Sequence, residues 1–388
     1  MKLSRLFIDF FKSEKSGGLI LVFVTFLSLT LANSTIHEQY LELFDFKILG
    51  LDFIHFVNDG LMTVFFLLIG LELKREIYIG ELSNIKSGSL TIVGAIGGML
   101  IPAGIFYLLN RGTGYESGAG IPMATDIAFA IGILSLLGNR VPASLKIFLT
   151  ALAVIDDLGA IIVIALFYST SISIINLFGS IGIFLLLLLF NRLRIYMLLP
   201  YLLAGSLMWY FMMHSGVHPA ISGVMLAFVI PFIEGDNKSP SYRLQSWLHK
   251  PVAFIILPLF ALVNTAIYVG ENWAIGLGKT TSMGILIGLV IGKPLGIWLF
   301  SFLGVRAGLC KLPKDLKWTN IIGVGFLGGI GFTMSIFITL LAYDNIELII
   351  NSKIAILLAS LIAGCTGYIW LKFSLKNNSI SKIKKLQP

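Results

Sequence analysis

Apolar residues run along this chain in long stretches that are separated by short polar segments. Each stretch approaches the roughly 20 residues that an α-helix needs to cross about 30 Å of hydrocarbon. The stretches begin near Leu19, Phe53, Leu90, Gly118, Ala143, Ile174, Ile195, Gly216, Trp247, Thr280, Thr319 and Ser352. Only His214 and Ser215 separate two of them, so the count of twelve holds to within about one. The pattern predicts an all-α integral membrane protein, a single polytopic domain over residues 1–388 with about twelve membrane-spanning helices.

The composition excludes an ordinary soluble protein. Hydrophobic residues make up 57% of the chain and charged residues only 12%, whereas about a quarter of a soluble domain is charged. The mean hydropathy is +0.92. A net charge of +8 on so apolar a chain indicates loops that face anionic lipid rather than a nucleic-acid partner. Because Cys310 and Cys365 have no metal-ligand or disulfide spacing, we expect no redox site, and we expect no cofactor.

The basic residues predict the orientation in the membrane. If twelve spans alternate from a cytoplasmic amino end, 23 of the 28 Lys and Arg residues fall on the cytoplasmic side and four on the outer side. The remaining one, Lys293, lies within a span. The first apolar segment also resembles the core of a signal peptide. Asn33 and Ser34 make a poor cleavage context, which favours an uncleaved first helix.

Four charged residues lie far from the ends of their predicted helices: Asp126, Asp156, Asp157 and Lys293. Counting about 1.5 Å per helical residue from the cytoplasmic ends places Asp126, Asp157 and Lys293 at nearly the same depth, roughly 20 Å inside. A structural salt bridge would explain one aspartate and the lysine, but it leaves two carboxylates unneutralised. Such residues are rare in lipid unless they face a polar cavity or one another. These charged residues at one depth of the membrane therefore predict a cation or proton site.

Two of the predicted spans are expected to be discontinuous, because each has a glycine-rich cluster just before a threonine, and one of the two clusters also contains a proline. One cluster precedes Thr125 and the other precedes Thr333. The residues assigned to the breaks are Gly120, Pro122, Gly329, Gly331 and Thr333. Glycines that only allow close helix packing are the alternative explanation. The matching positions favour two discontinuous helices that cross near the midplane, in inverted-topology repeats around residues 88–169 and 280–374.

The breaks give the buried charges an electrostatic role. Half-helices that meet inside a membrane leave positive amino ends and negative carboxyl ends. Asp126, at the start of a half-helix, is placed to offset positive ends, and Lys293 either offsets negative ends or pairs with an aspartate. Asp156 and Asp157 point about 100° apart on one helix, so we expect them to have different roles.

Six sequence blocks resemble the signature blocks of NhaA-type sodium/proton antiporters. The blocks are residues 56–62, 65–76, 124–130, 153–160, 292–296 and 331–338, and they include AVIDDLGA around the aspartate pair and GKPLG around the buried lysine. The resemblance implies a bacterial inner-membrane transporter, not an enzyme, that exports Na⁺ or Li⁺ in exchange for H⁺. It implies that Asp157 is the main cation ligand and proton carrier, and Asp156 its essential neighbour. Asp126 and Thr125 would be dipole partner and ligand, and Lys293 the compensating charge.

The resemblance also suggests residues for pH response and dimerisation. His218 resembles a histidine linked to pH response, although a half-exposed helix-capping histidine is an equal alternative. Glu72, Arg75, Glu76 and His249 resemble a pH-sensing cluster, with solvated loop charges as the alternative. In the outer loop over residues 33–52, the alternating stretch at 44–48 predicts a strand. It resembles a hairpin that joins two copies into a homodimer.

Two other functions fit parts of the sequence. A sodium-coupled symporter of an organic solute would share the buried charges, but the chain offers no obvious groups for an organic substrate. An intramembrane aspartyl protease also needs two aspartates in membrane helices. However, its usual glycine-x-glycine-aspartate element is missing at Asp126 and Asp157, and Lys293 would be an unusual addition.

Overall fold

The computed structural model describes residues 14–48, 50–83, 85–169, 172–233, 239–270 and 273–384. The two chain ends, for which the sequence predicts a cytoplasmic location, lie outside these ranges. Contacts group the described residues into two compact units. Unit one lies within Met1–Phe23, Asn84–Ala160 and Val269–Pro388, and unit two within Val24–Ser83 and Ile161–Tyr268.

Nearly all regular structure in the described ranges is helical. The helices are α1 (Glu14–Ala32), α2 (His37–Glu42), α3 (Phe53–Tyr78), α4 (Ile85–Asn110), α5 (Ile127–Leu136), α6 (Ala143–Phe167), α7 (Ile174–Arg192), α8 (Leu198–Met213), α9 (Ala220–Val229), α10 (Pro240–Asn264), α11 (Trp273–Leu277), α12 (Thr280–Arg306), α13 (Trp318–Gly328), α14 (Phe332–Ala342) and α15 (Ile346–Lys384). Short 3₁₀ segments occupy Glu81–Ser83, Glu116–Met123 and Gly138–Arg140. Within α3, α10 and α12 the backbone is π-helical at Phe56–Leu61, Val252–Ile256 and Gly288–Gly292.

The prediction of a helical membrane protein is confirmed. In the part of the chain that the structure describes, eight helical segments are long and apolar enough to cross a membrane, or nine if α13 and α14 form one bent span. Three shorter apolar helices, α1, α8 and α9, coincide with the remaining predicted stretches.

The outer loop contains a small hairpin. Strand β1 (Lys47–Ile48) pairs antiparallel with β2 (Leu51–Asp52), and Gly50 in the turn has a φ of +85°. The strand is shorter than the predicted stretch at 44–48. Phe44 lies outside the strand because its ring packs edge-on against Tyr40 at 5.2 Å, where it is buried.

In unit two, α3 packs closely against α9. A side chain at Gly70 would lie 3.3 Å from the Cα of Val224, so the absence of a side chain lets the two backbones approach. Helix α9 has only ten residues and is about 15 Å long. Val229 and Ile230 at its carboxyl end are fully buried, so water is not there to satisfy their carbonyl groups.

Two side chains satisfy this buried end of α9. The ammonium group of Lys74 donates to the carbonyl oxygens of Phe228 at 2.8 Å and Ile230 at 2.6 Å. The amide of Asn191 donates to the carbonyl oxygen of Val229 at 2.6 Å. The side chain of Lys74 is buried, and its positive charge lies at the negative end of the helix. Lys74 therefore fixes where α9 ends.

We expect the substitution Lys74→Met to lower the free energy of unfolding by about 3 kcal/mol, because it leaves at least two buried carbonyls without their charged donor. A loss of this size should lower the midpoint of thermal unfolding in detergent by roughly 3–5 °C. Lys250→Met is the matched control, because Lys250 is exposed on α10. Equal midpoints for the two variants would contradict the role of Lys74.

In unit one, α4 and α12 are in backbone contact at Gly97 and Gly296. A Cβ atom on either glycine would collide with the carbonyl oxygen of the other. This contact holds the π-helical stretch of α12, and Lys293 directly after it, beside α4. The 3₁₀ segment Glu116–Met123 packs on α4 and α14, and α15 packs on α13 and α14. Unit one therefore contains all four charged residues that the sequence places far from helix ends.

Candidate functional site

Two chain segments with non-helical backbone meet inside unit one. Helices α13 and α14 are bent by 49° at residues 329–331. The second segment runs from the 3₁₀ turn that ends at Met123, through extended residues, to the start of α5. The backbone N–H of Asp126 donates to the carbonyl oxygen of Ile330 at 2.7 Å. This hydrogen bond joins the two places where the sequence predicts breaks.

Asp126 connects the amino ends of two helices. Its Oδ1 accepts the N–H of Phe129 at 2.9 Å and so caps α5. Its Oδ2 accepts both the N–H of Thr333, at 3.2 Å, and the Thr333 hydroxyl, at 2.5 Å, at the start of α14. The side chain is buried. A carboxylate is stabilised here because both helices present positive amino ends.

Lys293 and Asp156 form a fully buried ion pair. The Lys293 ammonium lies 2.7 Å from Asp156 Oδ2, and both side chains are 0% exposed. Lys293 also donates to the carbonyl oxygen of Met123, at the end of the 3₁₀ segment. Removing charges from water is costly, so each partner depends on the other for compensation.

The hydroxyl of Thr125 touches both this ion pair and the break in the other span. Its Oγ1 lies 2.8 Å from Asp156 Oδ2 and 2.8 Å from the carbonyl oxygen of Gly328. The second carboxylate oxygen, Asp156 Oδ1, is buried and has no hydrogen-bond partner within the described residues. One oxygen of Asp156 is thus engaged by two donors, while the other remains available as a ligand.

Asp157 follows on α6 and is also fully buried. The structure therefore brings Thr125, Asp156 and Lys293 into direct contact, and holds Asp126 through Thr333 and Ile330. Carboxylate, hydroxyl and carbonyl oxygens are the donors that hard cations prefer. The described ranges contain no group of three or more His, Cys, Asp and Glu side chains suited to a resident metal ion. The site thus offers oxygen ligands from α6 and from the segment before α5.

The second group of predicted residues lies in unit two, on α3 and α10. His249 Nδ1 lies 3.8 Å from Glu72 Oε1, and Arg75 pairs with Glu76 at 3.3 Å. The side chain of His249 is 68% exposed, whereas that of Glu72 is only 16% exposed. The acidic residues are therefore more buried than solvated loop charges would be.

His218 lies before α9 and makes two defined contacts. Its Nδ1 accepts the N–H of Ala220 at 3.2 Å, which caps the start of α9, and its Nε2 lies 3.4 Å from Asp59 Oδ1. The side chain is only 9% exposed rather than half-exposed. Because Nδ1 accepts, Nε2 carries the hydrogen that faces Asp59 in the neutral ring.

Ser335 joins the two segments with non-helical backbone, although it was not among the residues predicted from the sequence. Its hydroxyl donates to the carbonyl oxygen of Ile121 at 2.7 Å, and it is fully buried. A polar residue two positions after Thr333 in an apolar helix was the available signal. The pairing partner could not be read from the sequence, because it is 214 positions away.

The comparisons with known proteins agree with the resemblance seen in the sequence blocks. The chain matches the family described as Na⁺/H⁺ antiporter 1 over residues 8–371. A protein of Flavobacterium johnsoniae named Na⁺/H⁺ antiporter NhaA 1 is 62% identical over 97% of this chain and 99% of the relative. Proteins named Na⁺/H⁺ antiporter NhaA from Flavobacterium psychrophilum and Cytophaga hutchinsonii are 61% and 58% identical, over at least 97% of both chains. The chain belongs to the Na⁺/H⁺ antiporter 1 family.

Proposed function

We propose that this protein is a secondary transporter that exchanges cytoplasmic Na⁺, or Li⁺, for external H⁺ and so serves sodium and pH homeostasis. The observation that carries the proposal is the buried cluster of Thr125, Asp156 and Lys293, with Asp157 next in the chain. Family membership supports the exchanged ions, because the relatives are named Na⁺/H⁺ antiporters. The transporter works without a cofactor.

In this proposal Asp157 is the main cation ligand and proton carrier, and Asp156 contributes a second carboxylate. Thr125 adds a hydroxyl oxygen, Asp126 compensates the helix ends, and Lys293 neutralises one carboxylate. The arrangement supports these roles because Lys293 pairs with Asp156 Oδ2. In this proposal the carboxylate of Asp157 is the group that the transported cation or proton neutralises.

Exchange follows from competition for the same oxygen atoms. When the carboxylates are ionised they bind a partly dehydrated Na⁺, and when they are protonated they release it. Because neither ion can occupy the site together with the other, each crossing carries either Na⁺ or H⁺. Alternating access would move the two broken spans and expose the site to one side at a time.

We infer that α1, α8, α9 and the bent pair α13–α14 cross the membrane together with the longer helices, which gives twelve spans. Both chain ends then lie in the cytoplasm of a bacterium, and the protein lies in its inner membrane. The two breaks would belong to inverted repeats around residues 88–169 and 280–374. Their opposite directions in this topology support the assignment.

The outer hairpin is proposed as the contact between two copies in a homodimer. Phe46 and Ile54 beside it are 47% and 41% exposed, which leaves apolar surface for a partner. The pairs His218–Asp59 and Glu72–His249 and the neighbouring Arg75 and Glu76 are proposed to make exchange depend on pH, since histidine changes charge near neutrality.

The test is Na⁺-dependent release of protons from everted membrane vesicles. Respiration acidifies the vesicle interior, and an acid-sensitive dye reports the gradient. We expect added Na⁺ to dissipate the gradient in vesicles that contain the protein, with no organic solute present, and not in vesicles from cells that lack it. A response that requires an organic solute would indicate a symporter and would overturn the proposal.

A further inference from the structure

One face of α15 supports the break between α13 and α14. Ser360 Oγ accepts the backbone N–H of Phe332, the first residue of α14, at 3.1 Å. One turn further along α15, the Cβ of Ala363 lies 3.3 Å from where a side chain at Gly329 would begin. Positions 360 and 363 lie on the same side of a helix. The last helix therefore contacts both ends of the break.

The hydrogen bond from Ser360 completes the amino end of α14. The first N–H groups of a helix have no partner within the helix itself. The N–H of Thr333 goes to Asp126, and the N–H of Phe332 goes to Ser360. Both Phe332 and Ser360 are buried, so water does not supply a substitute. The carboxylate of Asp126 and the hydroxyl of Ser360 thus satisfy the first two N–H groups of α14.

The residues that contact the proposed ligands Thr125 and Asp126 are the chain neighbours of the residues that α15 contacts. The carbonyl oxygen of Gly328 lies 2.8 Å from the Thr125 hydroxyl oxygen, the carbonyl oxygen of Ile330 accepts from Asp126, and Thr333 donates to Asp126. All three lie within the short stretch 328–333. A shift of this stretch would therefore move Thr125 and Asp126 relative to Asp156.

We propose that Ser360 is a positioning residue for Na⁺/H⁺ exchange, an inference that rests on the proposed function. Its hydroxyl holds the amino end of α14 in the position in which Asp126 and Thr125 make the contacts described above. Ser360 does not touch the transported ion. It acts through Phe332 and the break, so its loss changes how well the site binds Na⁺.

The experiment compares Ser360→Ala with Ser352→Ala in everted vesicles. Ser352 is a matched control because it is also fully buried on α15, and its hydroxyl has no hydrogen-bond partner within the described residues. We expect Ser360→Ala to raise the Na⁺ concentration for half-maximal exchange by about threefold or more. Ser352→Ala should stay within about twofold of the unchanged protein. Ser360→Thr, which keeps a hydroxyl, should restore most of the affinity.

A purely structural role predicts a different result. It would lower the exchange rate in proportion to the amount of folded protein and leave the Na⁺ concentration for half-maximal exchange unchanged. That result, or equal behaviour of the two alanine variants, would overturn the proposal. Size-exclusion chromatography of each purified variant gives the folded amount.

Amide hydrogen exchange gives a readout that does not depend on transport. In the purified protein, Ser360→Ala should speed deuterium uptake at residues 329–334, and Ser352→Ala should not. Unchanged uptake in Ser360→Ala would overturn the proposal. If vesicles with the unchanged protein give no Na⁺ response, the proposed function fails and the positioning role falls with it, while deuterium uptake still decides whether Ser360 holds Phe332.

Discussion

Asp157→Asn should abolish Na⁺/H⁺ exchange and reduce the Na⁺ response in everted vesicles to that of vesicles without the protein. The amide has nearly the same shape as the carboxylate, but it can neither neutralise a bound cation nor carry a proton at neutral pH. Asp157 is fully buried on α6, so water does not compensate for the missing charge. We expect the same loss for Asp156→Asn, since Asp156 is the buried carboxylate adjacent to Asp157.

The control for this substitution is Asp344→Asn. Asp344 is an exposed aspartate between α14 and α15, and the same chemical change there should leave exchange intact. Retained exchange in Asp157→Asn would rule out the proposed site. Loss of exchange in Asp344→Asn would show that the assay responds to general damage.

The second large effect concerns the buried ion pair. Lys293→Met leaves the carboxylate of Asp156 without its compensating charge, and breaking a buried pair on one side costs about 3–5 kcal/mol of unfolding free energy. The double variant Asp156→Asn with Lys293→Met should regain much of this loss, because both charges are removed together. Thermal unfolding of the single and double variants in detergent measures the coupling.

Exchange in Lys293→Met is expected to persist with weaker Na⁺ binding or a changed pH dependence, because Lys293 compensates charge and is not itself a ligand. Lys279→Met serves as control. Lys279 pairs with Glu347, but these side chains are 40% and 71% exposed, and exposed pairs contribute little. A double variant that is no more stable than Lys293→Met would contradict the coupling.

Much of the architecture is predictable from the order of apolar and polar residues. In the described ranges, eleven of the twelve apolar stretches coincide with a helix or the bent helix pair, because hydrocarbon leaves the backbone few other ways to satisfy its polar groups. The stretch from Gly118 coincides with a 3₁₀ segment followed by α5. The glycine cluster at residues 328–331 lies at the end of α13, and the cluster with Gly120 and Pro122 lies in the 3₁₀ segment before α5.

Other features depend on contacts between distant residues. From the sequence, Lys293 could either pair with an aspartate or offset helix ends, and in the structure it contacts both Asp156 and a backbone carbonyl. Which partner Lys293 contacts depends on how α12 is rotated about its own axis. The π-helical stretch before Lys293 changes that rotation, and the size of the change cannot be read from the periodicity of the sequence. The roles of Lys74 and Ser360 were missed because their partners are backbone groups, which every residue carries.

The position of Thr125 makes one hydroxyl group sensitive to the charge of its neighbour. A threonine hydroxyl has a single hydrogen, yet two acceptors lie at equal distance from its oxygen. Beside an ionised Asp156 the hydrogen turns to the carboxylate, and the carbonyl of Gly328 loses its donor. Once that carboxyl holds a proton of its own it can donate to Thr125, which frees the hydroxyl to turn to Gly328. In the proposed exchange, proton uptake at Asp156 on α6 would therefore change the hydrogen bonding of the Gly328 carbonyl at the end of α13.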